Sequence, residues 1–330
     1  MKFIRAFFSL WVALRSISGA TFTDDFASLP TAWLEHNGGA VVWDAEAKNL
    51  RVTWDSRETN SFFYFQLPWT LTRSESFSAE FTLRLDDLML GADPAKANTF
   101  PLAVGFLNFT QATRTNYYRG AGTSAANGPR GVVEFSYFPD GGLDATIAPI
   151  IASTNNQIAV SHTHPVELAA GEIYRIRFGF DAATQQLTTA IWLNGEPYGE
   201  PPDGTIRPLN YPTSFGDFAV DIFSIHSYSH AGQTPPQFAG SLLAHGTIDD
   251  VVITWPEAPI SRIAGRWQDG AWVVSFVARF GWTYNLLRAT EVSGAWDEVT
   301  SLVGRDGWME LRDEAPVVGS AFYKVSANRP

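Results

Sequence analysis

The chain has 330 residues, of which 45% are hydrophobic, 14% aromatic and 17% charged, a balance that excludes a largely disordered protein. The formal net charge is −11 and basic clusters are absent, so we expect no nucleic-acid partner. There is no cysteine, which excludes disulfides, thiolate metal sites and a cysteine nucleophile.

Residues 1–20 have the pattern of a secretion signal peptide. Lys2 and Arg5 precede a mostly apolar run, Ala6–Leu14, and small residues follow up to Ala20. The run is shorter than the about 20 apolar residues that span a bilayer. We therefore predict cleavage after Ala20 and a secreted, periplasmic or cell-surface protein that is not an integral membrane protein. A buried or disordered N-terminal segment is the alternative.

Residues 21–256 alternate between apolar and polar side chains. Phe77, Ala79, Phe81, Leu83 and Leu85, for example, are separated by single polar residues, which gives a strand with one buried face. Clusters of Gly, Pro, Asn and Asp separate such segments, so the pattern predicts an antiparallel, all-β sandwich. The other strand-like runs are Ala40–Trp43, Leu50–Trp54, Phe62–Leu67, Leu102–Phe109, Val132–Phe138, Ala145–Ala152, Tyr174–Phe180, Leu187–Leu193, Phe218–Ser224 and Thr247–Trp255.

A proline-rich stretch, Pro256–Pro259, marks a domain boundary, and we take residues 257–260 as a linker. Residues 261–330 then predict a small second β-domain of about five strands. A domain of this size has a marginal core, and its five tryptophans are expected to supply most of it. An exposed platform for stacking sugars is the alternative. The predicted strands are Ala271–Ala278, Trp282–Thr290, Trp296–Leu302, Trp308–Asp313 and Ala321–Ala327.

Three segments of the large domain resemble the concanavalin A-like lectin/glucanase superfamily in its laminin-G-like form. They are the opening Thr23–Phe26, the hairpin that begins at Ile173–Asp181 and ends at Asn194-Gly195, and the closing Ile248–Ile253. The resemblance implies that residues 21–256 form a jelly-roll domain. Residues 261–330 resemble the small β-domains of exported verrucomicrobial proteins, through Tyr284, Trp296 and Phe322–Val325. That resemblance implies export or surface display.

Hydrolases of this superfamily carry a Glu-x-Asp-x-(x)-Glu motif on one concave strand, and the nearest match is Glu134–Asp140. Hydrolysis needs two carboxyl groups about 5–10 Å apart. Here Ser136 replaces the central acid, and Asp140 lies about 20 Å from Glu134 along an extended strand. Since Val133, Phe135 and Tyr137 are predicted to face the core, Glu134 and Ser136 should lie on the open face. We assign no catalytic residue.

The open face is predicted to bind a glycan. Planar rings and polar groups suit the flat faces and neighbouring hydroxyls of sugars. The expected ligand-binding residues are Glu134, Tyr118, Arg119, Asn108 and Ser136. Adjacent tyrosines on a strand could equally be one core and one surface residue.

Acidic residues and histidines indicate two possible metal sites. In related jelly rolls an acid of the first strand and an aspartate of the last strand hold one calcium ion, and the matching residues are Asp25 and Asp249. They are our candidate structural calcium ligands; ordinary solvated acids are the alternative. His162 with His164 could bind a transition metal, but no third ligand is clustered with them.

The sequence favours an exported, non-catalytic protein that binds carbohydrate or cell-surface polysaccharide through the concave face of the jelly roll. Two alternatives stay open. One is a glycoside hydrolase or polysaccharide lyase with displaced acidic residues, and the other is a structural surface or matrix protein that meets a protein partner.

Overall fold

The structure is a computed structural model that describes residues 19–93, 101–115, 117, 131–139, 145–199, 206–229, 241–257, 259–317 and 320–328. Within these ranges it contains 23 β-strands and one short helix, α1 (Phe109–Ala112). The all-β class predicted from the alternating pattern is therefore confirmed. None of the described residues belongs to a helix long and apolar enough to cross a bilayer. The chain divides into two compact units, Met1–Pro256 and Glu257–Pro330.

Two antiparallel sheets form the first unit. Sheet A contains nine described strands: β1 (Ala20–Asp24), β3 (Val41–Asp44), β4 (Asn49–Asp55), β6 (Phe77–Leu90), β12 (Ile173–Asp181), β13 (Gln186–Leu193), β14 (Glu196–Pro197), β15 (Leu209–Asn210) and β17 (Leu242–Trp255). Sheet B contains eight: β2 (Trp33–His36), β5 (Ser61–Thr72), β7 (Leu102–Leu107), β8 (Val132–Phe138), β9 (Thr146–Ile147), β10 (Ile150–Ala152), β11 (Ile158–Val160) and β16 (Ala219–Ser227).

The order of the strands is that of a jelly roll. Sheet A runs β14-β13-β12-β6-β17-β4-β3, with β1 beside β17 and β15 beside β13. Sheet B runs β11-β10-β8-β7-β16-β5-β2, with β9 beside β8. Consecutive strands β4 to β7 alternate between the sheets, and so do β16 and β17. The predicted hairpin is present, because Tyr174 pairs with Leu193 and Asp181 pairs with Gln186.

The core lies between the two sheets and is rich in aromatic rings. Phe81 of sheet A meets Phe135 of sheet B with ring centroids 6.1 Å apart, and Phe106 of sheet B lies 5.8 Å from Phe178 of sheet A. All four side chains are almost completely buried. Each such side chain contributes about 2 kcal/mol when it leaves water. The inner face of β8 is thereby fixed as Val133, Phe135 and Tyr137, as the sequence predicts.

The opposite side of sheet B, which we call its outer face, has small residues in its middle strand. Gly105 pairs with Glu134 on one side and Ser224 on the other, and Ala103 lies between Ser136 and His226 in the same way. A Cβ atom on Gly105 would lie 2.4 Å from the Cβ atom of Glu134 and 2.6 Å from its Cα atom. The side chain of Glu134 therefore has room only because residue 105 is glycine.

The second unit contains two three-stranded sheets. Sheet C is β18 (Ser261–Gln268), β19 (Ala271–Ala278) and β22 (Gly307–Asp313), and sheet D is β20 (Thr283–Ala289), β21 (Asp297–Val303) and β23 (Phe322–Asn328). β18 was not predicted from the sequence. The core contains Val274, Phe276, Ala278, Tyr284, Leu286, Met309 and Leu311.

The expectation that the five tryptophans supply most of this core is wrong for Trp267, Trp296 and Trp308, while Trp272 and Trp282 are packed against the core without being part of its buried centre. Trp267 is 61% exposed and Trp308 is 58% exposed, while Trp272, Trp282 and Trp296 are half-buried. Trp267 pairs across β18 and β19 with Trp272, and their ring centroids are 5.7 Å apart. This pair flanks the two-residue turn Asp269-Gly270, so the rings support the hairpin from its surface.

We expect Gly105→Ala to lower the free energy of unfolding of the sandwich by about 1–3 kcal/mol. The added methyl group would meet backbone atoms of β8, which cannot move without disturbing the ladder between β7 and β8. Urea unfolding followed by intrinsic fluorescence measures the change. An unfolding midpoint equal to that of the wild type would contradict the close approach.

Candidate functional site

A buried polar cluster occupies the outer face of sheet B. Ser136 donates a hydrogen bond of 2.9 Å from Oγ to Glu134 Oε1, and the Tyr228 hydroxyl donates one of 2.8 Å to Oε2. His226 Nε2 lies 3.5 Å from the same Oε2 atom. None of these four side chains is more than 2% exposed. We call Glu134, Ser136, His226 and Tyr228 the Glu134 cluster.

One hydrogen bond of His226 indicates which of its ring nitrogens carries a hydrogen. Nδ1 lies 3.2 Å from the carbonyl oxygen of Ser224, and because a carbonyl only accepts, Nδ1 must carry a hydrogen there. The other nitrogen, Nε2, then points at the carboxylate of Glu134. A buried carboxylate is costly unless donors surround it, and here the hydroxyl groups of Ser136 and Tyr228 supply two hydrogen bonds, while His226 Nε2 lies 3.5 Å away and makes none with the described residues.

Aromatic rings line the same region of the outer face. The ring of Phe62 lies 5.9 Å from that of His226, and the ring of Tyr117 lies 6.2 Å from that of Tyr228. At the β2 edge, His36 and Phe109 meet edge to face at 5.8 Å, and both are half-buried. The face thus combines buried polar groups in its centre with partly accessible rings toward this edge.

The predicted ligand-binding residues are only partly brought together. Glu134 and Ser136 share the outer face as expected, but they are fully buried instead of open to solvent. Asn108 lies at the N-cap of α1, where its side-chain oxygen accepts a 3.0 Å hydrogen bond from the Gln111 N–H. Its position there is explained by helix capping. Tyr118 and Arg119 lie outside the described residues.

The structure adds His226 and Tyr228, which sequence reasoning did not connect with Glu134. A signal was present, because Phe223 and Ile225 are core residues and the alternation places Ser224 and His226 on the outer face. Their partner, however, depends on the strand order β8-β7-β16, which alternation alone does not give.

The described residues that flank Glu134 on sheet B include no second carboxyl group. In the described part of the chain, its partners across the ladder are Ile150 and Gly105, and Ser136 is next on its own strand. Asp140, the acid considered from the sequence, lies outside the described residues. Among the described residues, the arrangement offers the Glu134 carboxylate together with a tyrosine and a histidine.

Comparison with known proteins gives likenesses of fold alone. No family model matches the chain, and no curated protein matches it in sequence. Among solved structures, lectin UEA-II complexed with galactose is similar at 14% identity and a TM-score of 0.46, covering 73% of this chain and 100% of the lectin. A Lotus tetragonolobus seed lectin is similar at 13% identity and a TM-score of 0.44, covering 72% of this chain and 98% of its own.

A Bacillus licheniformis β-glucanase is similar at 11% identity and a TM-score of 0.39, covering 72% of this chain and 99% of the glucanase. The two stacked sheets of this chain are the fold that the resemblance to the lectin/glucanase superfamily implies. At these identities and TM-scores, the neighbours say nothing about which ligand this chain takes.

Of the two candidate calcium ligands, Asp25 directly follows β1 and Asp249 lies on β17, near enough for their charges to interact. β1 pairs with β17, with Asp24 opposite Val251. Burial raises the pKa of Asp249; the Asp250 N–H opposes this shift, and the negative charges of Asp250, Asp25 and Asp24 add to it. The acids are thus close enough to repel one another.

The ligand set for calcium is incomplete in side chains. Asp25 and Asp249 each accept one backbone N–H through Oδ1, and within the described residues the Oδ2 atom of each has no donor. No group of three or more acidic or histidine side chains is arranged to hold a metal ion in the described ranges. Calcium takes six to eight oxygens, so backbone carbonyls and water would have to supply the rest. The calcium site stays a prediction.

We expect Asp249→Asn to have opposite effects with and without calcium. In chelator it should raise the melting temperature, because it removes charge repulsion while keeping the oxygen that accepts the Asp250 N–H. In excess calcium it should lower the melting temperature relative to the wild type, since binding to the folded state alone stabilises that state. Differential scanning calorimetry measures both. A wild-type melting temperature that is the same in chelator and in excess calcium would contradict the predicted calcium site.

We expect Tyr228→Phe to destabilise the sandwich by about 1–2 kcal/mol, because it removes a donor from the buried Glu134 carboxylate. Tyr64→Phe is the matched control. Tyr64 lies on neighbouring β5, and within the described chain its hydroxyl makes no hydrogen bond. Urea unfolding should separate the two variants, and equal losses would show that the contact with Glu134 adds nothing.

Proposed function

We propose that this chain is an exported, non-catalytic protein that binds carbohydrate or cell-surface polysaccharide on the outer face of sheet B. The observation that carries the proposal is the Glu134 cluster, a set of fixed polar groups on a sheet face that also carries accessible aromatic rings. An ordinary solvent-facing sheet surface would have no reason to bury a carboxylate between two hydroxyl donors and beside an imidazole.

The partly accessible rings beside the Glu134 cluster support a flat ligand. Ala103 and Gly105 leave β7 without bulk between β8 and β16, so Glu134 and His226 meet across it. Toward β2, the half-buried rings of His36 and Phe109 present apolar surface beside polar edges. Apolar walls with a few fixed polar groups are the usual composition of sites for small polar ligands such as sugars.

A non-catalytic role is supported by the surroundings of Glu134. Glycoside hydrolysis uses two carboxyl groups on either side of the bond that breaks. The described neighbours of Glu134 on the outer face supply hydroxyl groups, an imidazole and apolar side chains instead. Both carboxylate oxygens of Glu134 accept hydrogen bonds from protein groups, as expected of a residue that orders the face.

A polysaccharide lyase is the second candidate, because one observation favours it. The Tyr228 hydroxyl is held by a carboxylate 2.8 Å away, and its ring centroid lies 4.4 Å from that of His226. A tyrosine and a histidine at this separation are equipped to give and take protons. In this reading Glu134 orients Tyr228, and the substrate must reach a hydroxyl that is 2% exposed.

A panel of neutral and acidic polysaccharides, assayed both for binding and for products, separates the two candidates. We expect retardation in affinity electrophoresis without new reducing ends or unsaturated products. Replacing both His36 and Phe109 by alanine should weaken binding at least about fivefold, the scale of an aromatic contact. Trp192→Ala is the matched control, since this half-buried ring lies in sheet A beside Arg175.

Three results would change the proposal. A folded wild-type protein that binds no polysaccharide would contradict it, and so would equal weakening by Trp192→Ala. Products that accumulate with the wild type and disappear with Tyr228→Phe would establish the lyase instead.

A further inference from the structure

Two tryptophans of the second unit lie outside its buried centre, at the edge of sheet C. Trp267, on β18, is 61% exposed, and Trp272, opposite it on β19, is half-buried. A small domain with a marginal core gains most free energy by burying such rings. The exposure of the Trp267 indole therefore calls for an explanation beyond the support that it gives to the hairpin.

The ring of Trp272 is held in a fixed position. Its plane lies 27° from that of Tyr323 on β23, with the ring centroids 5.5 Å apart. On β18, a Cβ atom at Gly265 would lie 2.5 Å from Trp272 Cζ2, so the absence of a side chain there makes room for the indole. The indole N–H is buried and has no acceptor among the described residues, so packing is what fixes the ring.

A buried ion pair holds Tyr323 in turn. The Tyr323 hydroxyl donates a 2.8 Å hydrogen bond to Asp313 Oδ2, and Arg288 Nη1 donates one of 2.7 Å to the same atom. Asp313 is 2% exposed, so water screens these contacts little. Trp267 meets Trp272 at an interplanar angle of 71°, with the centroids 5.7 Å apart. The exposed ring is thus supported by contacts that connect both sheets of the second unit.

Unpaired backbone groups lie beside the exposed ring. Within the described residues β18 pairs with β19 alone, which makes it an edge strand of sheet C. An edge strand has a row of N–H and C=O groups that face away from its partner. An apolar ring next to such donors and acceptors is a typical composition for a sugar site, because the ring covers a flat sugar face while the polar groups bind hydroxyls.

The size of the exposed ring argues against a protein partner. A whole tryptophan side chain buries on the order of 200 Å², whereas a stable protein interface takes about 800 Å² from each partner. Addition of a peptide strand to β18 is also disfavoured, because the pairing of β18 shifts register between Ser261 and Ala264. One sugar ring, by contrast, matches the exposed face of one indole.

The charge of the second unit indicates a neutral ligand. Residues 257–330 contain nine acidic and eight basic side chains, which gives a net charge of −1 and no strong field of either sign. The basic residue next to Trp267 is Arg266, and its guanidinium already contacts Glu310, Ser275 and Gln268. It is therefore not available to an anionic substituent.

We propose that Trp267, supported by Trp272, forms a stacking site for a pyranose ring of a neutral polysaccharide. A pyranose with equatorial hydroxyls, as in a β-linked glucan or xylan, offers the apolar C–H face that an indole covers. The proposal goes beyond the proposed function, because this site shares no residue with the outer face of sheet B. It gives the second unit a binding activity of its own.

Affinity electrophoresis of the full-length chain in soluble β-glucan, xylan and polyuronate tests the site. We expect Trp267→Ala to weaken binding of β-glucan or xylan at least about fivefold, the scale of a lost aromatic contact. Trp267→Phe keeps a smaller ring and should weaken binding only about twofold. The same loss is expected in a chain that also carries His36→Ala and Phe109→Ala, since the two sites are separate.

Trp308→Ala is the matched control. Trp308 is 58% exposed and lies on the same sheet, but the neighbouring Met309 and Leu311 are core residues, so its ring is on the opposite face. Within the described residues it contacts no other ring. Its replacement should leave the affinity unchanged, and the melting curves of both alanine variants should stay cooperative because both rings are exposed.

Fluorescence gives a readout that a purely structural role of Trp267 would not produce. Saturating β-glucan or xylan should shift the tryptophan emission of the wild type to shorter wavelength, because an exposed indole leaves water. Trp267→Phe should still bind but lose this shift. A shift that persists unchanged in Trp267→Phe would place the ligand elsewhere and overturn the site.

The binding results separate this proposal from the proposed function. Full affinity of Trp267→Ala, equal weakening by Trp308→Ala, or binding of the polyuronate alone overturns the stacking site and leaves the outer face of sheet B untouched. Loss through Trp267→Ala but none through the His36 and Phe109 replacements supports this site and contradicts the other. Absence of all polysaccharide binding overturns both. Self-association in light scattering that Trp267→Ala abolishes would make a second copy the occupant and overturn the site.

Discussion

The packing of aromatic side chains between the two sheets determines what the outer face of sheet B carries. Phe135 meets Phe81 across the core and Phe106 meets Phe178, so β8 and β7 cannot shift by one residue without exposing these rings. The same register turns Glu134 outward. Everything proposed for the outer face therefore depends on contacts that lie on the other side of the sheet.

Burying a carboxylate in such a sheet is unfavourable in free energy, and the packing of the core must offset it. Glu134 has no access to water, and its burial is tolerable because Ser136 and Tyr228 donate hydrogen bonds to its two oxygens. Ser136 lies on β8 with Glu134, whereas His226 lies on β16 and Tyr228 just after it, on the far side of β7, and Gly105 leaves the space that Glu134 needs. The polar centre thus combines residues from two separate segments of the chain, which is why we read it as part of a site.

Much of the sandwich could be predicted from alternation, but the cluster could not. The alternation of apolar and polar residues along β8 shows on which face Glu134 lies, since this depends only on its neighbours in sequence. Its contact with Tyr228, 94 residues away, depends on strand order, and its full burial depends on what covers the sheet. The burial of the tryptophans in the second unit could not be predicted from alternation either. Trp267 pairs with Trp272 near a tight turn, so its ring is contacted by another ring while it stays 61% exposed.

The pairing of β1 with β17 has a mechanical consequence. Ala20, where β1 begins, lies directly opposite Trp255, where β17 ends, so the chain enters and leaves the sandwich at one point. A pulling force on these two ends would load the hydrogen bonds of an antiparallel pair one after another, as in opening a zip. If the chain is tethered at both ends, this seam should yield first, while the aromatic core behind it still holds.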